Sequence, residues 1–171
     1  HSSHRRQRQM CIRDSLKSDL ITQGPIVQKF AKTICTYTSS NYSVLTNSAT
    51  SALHIACLSL GLGKGDILWT SPNSYVASAN VGLLCNAEID FVDIDPFNYN
   101  ICIHALSDKL KNAEKYGKLP KIVMPVHFAG QSCDMKAIKK LSKKYGFKII
   151  EDASQAIGGS YNVTKIGSCR F

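Results

Sequence analysis

No apolar run in this 171-residue chain approaches the roughly 18 residues that a membrane span requires. No apolar segment follows the basic N-terminus, so a secretory leader is not expected. The Cys-x-x-Cys spacing is absent, and with it the usual basis for a zinc site or a redox-active dithiol. The seven cysteines, Cys11, Cys35, Cys57, Cys85, Cys102, Cys133 and Cys169, are odd in number and scattered. Several lie in apolar stretches, where free cysteine behaves as a small hydrophobe, so a reducing, cytoplasmic setting is expected. Acidic residues number 12 against 21 lysines and arginines, and no cluster of them offers a metal site. Arginine is almost missing beyond residue 14, where only Arg170 occurs. Before it, Arg5, Arg6, Arg8 and Arg13 stand against Asp14 alone, a net +3 out of the chain's +9. Arginine-rich arms can bind nucleic acid. A segment so unlike the rest is better explained as non-native or disordered, and no nucleic-acid partner is expected.

What is present suffices for one globular domain, since 44% of the residues are hydrophobic. Residues 1–14 are set aside, 15–40 form an N-terminal arm and helix, and 41–171 form the main domain. Gly24-Pro25 signals a turn, and Ile26, Val27, Phe30, Ala31 and Ile34 then recur at helical spacing. Tyr42 to Thr46 reads as a strand. Asn47 or Ser48 caps a helix with Leu53, Ala56, Cys57 and Leu60 on one face, stopped by Gly61. Further strands are expected over Asp66–Thr70, Ala87–Ile94, Lys121–His127 and 147–152. Helices are expected after Ser71–Tyr75, over 103–116 and over 135–145, the last capped by Asp134 and ended by Gly146. Asp93 and Asp95 sit before Pro96 and mark a turn rather than a metal site. Residues 160–171 begin a hairpin. The glycine-rich Gly61–Gly65 turn follows a helix and precedes a strand, the wrong order for a phosphate loop. Strand–helix alternation from 42 to 152 implies an α/β fold with a parallel sheet.

Three places in that frame carry chemistry. Ile149 and Ile150 end at Glu151 and Asp152. Ligands of open α/β sheets sit at the carboxyl ends of strands, so one of these carboxylates should face a ligand, with a cationic ring nitrogen as a natural partner. The helix opening at Asn47-Ser48-Ala49-Thr50-Ser51 presents free amides at the positive end of its dipole, an anion site that ordinary capping does not exclude. Tyr75, at another helix start, can stack on a flat ligand or pack in the core. His127, at a strand end, is a candidate acid or base, although a structural histidine is the commoner case.

Leu20-Ile-Thr-Gln-Gly-Pro25, Asn47-Ser-Ala-Thr-Ser-Ala-Leu53, Thr70-Ser-Pro72 with Tyr75, Pro125-Val-His-Phe-Ala-Gly130 and Glu151-Asp-Ala-Ser-Gln155 occur together and in this order. In this the chain resembles the DegT/DnrJ/EryC1/StrS aminotransferases from about Leu20 to Phe171. The resemblance implies the large domain of a fold-type I transferase dependent on pyridoxal phosphate (PLP). It implies Asp152 on the pyridine nitrogen, Gln155 on the phenolic oxygen, Tyr75 over the ring and Ala49 with Thr50 at the phosphate. Ile21 and Thr22 are implied near a sugar nucleotide.

Within the family the chain looks most like the pseudaminic-acid branch. Its members move an amino group from glutamate to C4 of a UDP-linked 4-keto-6-deoxy-N-acetylaltrosamine and work as homodimers. The family's PLP-lysine lies in a Ser-Phe-His-x-x-Lys motif that does not occur in this sequence. Neither Lys148 nor Lys165 matches it. No catalytic residue is therefore assigned, the small C-terminal domain is expected to be absent, and these 171 residues alone are expected to be inactive. Family members that carry histidine at that position dehydrate instead. A non-catalytic α/β binding domain is the remaining alternative.

Overall fold

The structure, a computed structural model, describes residues 9–10 and 12–168. Arg5, Arg6, Arg8, Cys11, Cys169 and Arg170 lie outside the described residues. Residues 12–16 are helical. The regular elements that follow are α1 (Pro25–Thr38), α2 (Ala49–Ser59), β1 (Ile67–Thr70), α3 (Ala77–Leu84) and β2 (Glu88–Phe91). Next come α4 (Ile103–Lys115), β3 (Ile122–Met124), α5 (Met135–Tyr145), β4 (Lys148–Ile149), β5 (Ser160–Tyr161) and β6 (Thr164–Lys165).

β1 to β4 form one parallel sheet in the order β2-β1-β3-β4. Its strands are apolar throughout because both faces are covered. Side chains alternate between the faces. Leu68, Ile122, Met124 and Ile150 enter a core with Leu53 and Cys57 of α2 and Val81 of α3. Trp69 and Val123 turn the other way, into a core with Leu106 and Leu110 of α4 and Met135 and Ile138 of α5. α3 lies close against the sheet at Gly82, where an added Cβ would meet Ile89 Cγ2 at 2.6 Å.

The expected helices form with their expected caps. Ser48 accepts from the Ser51 amide at 3.2 Å and Asp134 from the Ala137 amide at 3.2 Å. Gly146 closes α5 with φ 82°. Asp95 makes the turn read at Pro96, its Oδ1 accepting from the Phe97 amide at 2.8 Å and the Asn98 amide at 3.3 Å. β5 and β6 form the expected hairpin.

The strands differ more from expectation. Tyr42–Thr46 is not a strand. Tyr42 and Val44 are 89% and 80% exposed, and no described strand lies alongside to pair with the segment. The other strands are shorter than expected. Pro125 has no N–H to donate, so after Met124 only an isolated bridge, Val126 to Asp152, continues the pairing. Past Phe91, Ile94 bridges antiparallel to Ile101 rather than extending β2.

Candidate active site

A cavity of about 500 Å³ opens where β1, β3 and β4 end and α2 and α3 begin. Ala49, Thr50, Tyr75, Asp152 and Gln155 all line it. These residues are separated by up to about 100 positions in sequence and are brought together by the parallel topology. Ile21 and Thr22 do not line it. They lie in the loop before α1, with Ile21 73% exposed. Lys148 and Lys165 do not line it either.

The backbone fixes Asp152. Its amide donates to Pro125 O at 2.9 Å and its carbonyl accepts from the His127 amide at 3.0 Å. Its side chain is 5% exposed. Oδ1 accepts from the Ser154 hydroxyl at 2.6 Å and the Ser154 amide at 3.2 Å. Oδ2 accepts from the Ser78 hydroxyl at 2.6 Å. No salt bridge joins it to a cation among the described residues. A carboxylate has about four lone-pair positions, so this one retains capacity for a further donor. A buried anion facing a cavity without a cation suits a ligand that brings one.

Glu151, next in the chain, points to the opposite face. Its Oε2 lies 2.9 Å from His127 Nε2. The Cys133 amide donates to His127 Nδ1 at 3.2 Å, so the ring proton sits on Nε2 and is donated to Glu151. His127 is 1% exposed and both its nitrogens are used inside the fold, which is the structural role.

Across the cavity, α2 supplies the anion end. Ser48 takes the Ser51 amide, and the first helical backbone bond is from the Ala52 amide to Ser48 O at 3.1 Å. The amides of Ala49 and Thr50 precede it and have no acceptor within the helix. Tyr75 is 77% exposed at the cavity wall, so it does not pack in the core. The exit loop of β3 is held against the Asp152 turn. At Gly130 (φ 86°) an added Cβ would stand 2.8 Å from Gln155 O.

Sequence reasoning missed Ser78, Ser154, Asn73 and Phe128 on the cavity wall. Serine at the second position of a helix reads as ordinary capping chemistry, and nothing local ties residue 78 to residue 152. Together the wall offers amides for an anion, an exposed aromatic face and a buried carboxylate without a cation. That donor set fits a flat ring carrying a phosphate at one end and a protonated nitrogen at the other, which is the chemistry of PLP.

The profile of the DegT/DnrJ/EryC1/StrS aminotransferase family matches residues 2–170. A UDP-4-amino-4,6-dideoxy-N-acetyl-beta-L-altrosamine transaminase from Campylobacter jejuni is 37% identical over 155 residues, covering 90% of this chain and 40% of that protein. The spore coat polysaccharide biosynthesis protein SpsC of Bacillus subtilis is 36% identical over 157 residues, covering 92% of this chain and 39% of that protein. The chain thus spans about two fifths of the length of these curated relatives. Among solved structures, Helicobacter pylori PseC, an aminotransferase of pseudoaminic acid biosynthesis, superposes with TM-score 0.84 at 29% identity over 92% of this chain and 41% of its own. S. venezuelae DesV superposes with TM-score 0.88 at 26% identity over 98% and 43%. The chain belongs to the DegT/DnrJ/EryC1/StrS family, whose members are PLP-dependent sugar aminotransferases.

Proposed function

We propose that this chain is the cofactor-binding part of an enzyme that aminates C4 of a nucleotide-linked 4-keto-6-deoxy sugar. The amino donor is glutamate, and the sugar is UDP-4-keto-6-deoxy-N-acetylaltrosamine, in pseudaminic-acid and surface-polysaccharide biosynthesis. The Campylobacter relative, whose printed name is a transaminase of that sugar, supports the choice. The complete enzyme works in the cytoplasm as a homodimer. Among the described residues no helix is long and apolar enough to cross a membrane.

One observation carries the reading: a carboxylate, 5% exposed and without a cation, at the floor of a cavity that also receives the start of α2. In this assignment Asp152 holds the ring nitrogen in its cationic form by charge and hydrogen bonding. The amides of Ala49 and Thr50 hold the phosphate at the helix N-terminus. Tyr75 covers one ring face and excludes water from it. Gln155 donates to the phenolic oxygen. Ile21 and Thr22, outside the cavity wall, are assigned to the sugar nucleotide. Bound PLP supplies an electron sink for proton loss at the carbon that carries the amino group. The lysine that would move that proton is not in this sequence, so the chain binds without turning over.

Titration of the chain with PLP, followed by the ligand's absorbance and by calorimetry, tests this. Asp152→Ala is expected to weaken binding at least about tenfold, the value of one charge-assisted hydrogen bond. Glutamate and the keto sugar nucleotide should give no product. Equal affinity in wild type and variant would remove the assignment.

A further inference from the structure

Asp152 is held by more than its backbone. Ser78 stands 1% exposed at the start of α3, and its hydroxyl donates to Asp152 Oδ2 at 2.6 Å. Ser74, one helical turn earlier, lies with its hydroxyl 2.6 Å from that of Ser78. A serine hydroxyl has one proton, and an ionised carboxylate only accepts. Ser78 therefore spends its proton on Asp152, and Ser74 must spend its own on Ser78. The result is a directed chain from Ser74 to Ser78 to Asp152. It approaches Oδ2 from α3, while the Ser154 hydroxyl and amide approach Oδ1 from the following turn.

We infer that Ser78, backed by Ser74, is a positioning residue for the ring nitrogen of the bound cofactor. The inference rests on the cofactor assignment of the preceding section. A carboxylate gripped at one oxygen alone can rotate about its last torsion, which is broad and two-fold. Gripped at both oxygens from two separate elements, its plane is set. Only one lone-pair direction of Oδ2 is then left for the cavity. Ser78 acts through Asp152 and does not touch the ring. Its loss should cost the contact to the nitrogen and leave the phosphate and ring-face contacts as they were. Hydrogen bonds are directional and weaken steeply off-line, so a freely turning carboxylate loses much of this one.

The test separates the nitrogen from the rest of the ligand. The probes are 4-deoxypyridoxine 5′-phosphate, which cannot react with a lysine, and its analogue with C–H in place of the ring nitrogen. Wild type should prefer the nitrogen-bearing probe. Ser78→Ala should weaken that probe about tenfold and leave the analogue unchanged, because one charge-assisted hydrogen bond is at stake. Ser78→Thr, which keeps the hydroxyl, should restore the preference. Ser74→Ala should shift it in the same direction by about threefold, and this variant decides the matter should Ser78→Ala not fold. Equal weakening of both probes would show a merely structural serine and overturn the inference. An unchanged preference in Ser78→Ala, with the preference lost in Asp152→Ala, would overturn it while leaving the cofactor assignment standing. No effect of Asp152→Ala on either probe would take both down.

Discussion

Glu151 and Asp152 are neighbours with opposite fates, and strand geometry is the reason. Adjacent side chains leave a strand on opposite faces. Asp152 therefore meets the cavity, and Glu151 meets His127 beneath the loop that leaves β3. His127 is the more deeply committed of that pair. Its Nδ1 takes the Cys133 amide and its Nε2 serves Glu151, with the ring 1% exposed. Replacing it with alanine strands a buried amide and a carboxylate at once. His127→Ala should lower the unfolding free energy by about 2–4 kcal/mol in urea titrations, a large part of a small domain's stability. A loss under about 1 kcal/mol would mean that water replaces the ring without penalty. The identity of Asp152 as a site residue was legible in the sequence from its place after Ile149-Ile150. The Ser78 contact was not, because it joins residues 74 positions apart. Which way each carboxylate points was likewise closed to a reading of the chain alone, since the parity of a strand is set by what its neighbours bury.

Helices, caps and turns were legible because their causes are local. Ser48, Asp134, Gly146 and Asp95 act on backbone groups within a few positions of themselves. Strands depend on neighbours that the local pattern does not name. Tyr42–Thr46 has the composition of a strand and no described partner, and Pro125 shortens the β3–β4 ladder. One staple between elements lends itself to a pH experiment. Asp66, just before β1, accepts from Lys121 Nζ at 2.8 Å and from the Gly63 amide at 2.9 Å, while Lys121 also reaches Gly61 O at 2.6 Å. The turn after α2 is thereby tied to the entry of β3. The Lys121 hydrogen bond, more than the opposing desolvation, holds the Asp66 carboxyl below its ordinary value. The folded state then binds that proton less readily than the unfolded chain. The stabilisation is complete above the unfolded carboxyl value of about 4 and disappears as pH falls through the lower folded value. Asp66→Asn should cost about 1 kcal/mol at pH 7, a figure suited to a partly exposed pair. The difference from wild type should close below about pH 3. A gap in urea midpoints that persists in acid would assign the cost to something other than this charge.

At the scale of the whole molecule the sheet has two open edges, β2 and β4, and the β4 edge is the more telling. Lys148, Ile150 and Asp152 donate inward, to Lys121 O at 2.8 Å, Val123 O at 3.2 Å and Pro125 O at 2.9 Å. In a parallel ladder the alternate residues face the other way. The amides of Ile149 and Glu151 therefore face a groove of about 860 Å³ walled by α2 on one side and α5 on the other. The buried Oε1 of Glu151, a residue on that groove's wall, has no hydrogen-bond partner. α2 adds to the imbalance, because Ile55 and Leu58 on its outer side are 51% and 52% exposed while Leu53 and Cys57 are buried. A helix apolar on both sides is built to be covered on both. α1 behaves similarly, with Ile26 67% and Phe30 53% exposed. The parallel order and the two cores were legible in the strand–helix alternation, whereas an uncovered edge can be seen only once the strands are placed. Hydrogen exchange reads such an edge directly. In a monomeric sample the amides of Ile149 and Glu151 should exchange at least about tenfold faster than those of Lys148 and Ile150, because unpaired edge amides open to water without breaking the sheet. Equal protection of all four amides at low concentration would mean that the edge is already covered by this chain itself. Protection that appears only as concentration rises would mean that a second copy pairs with it, the expected hazard of a flat, uncapped strand.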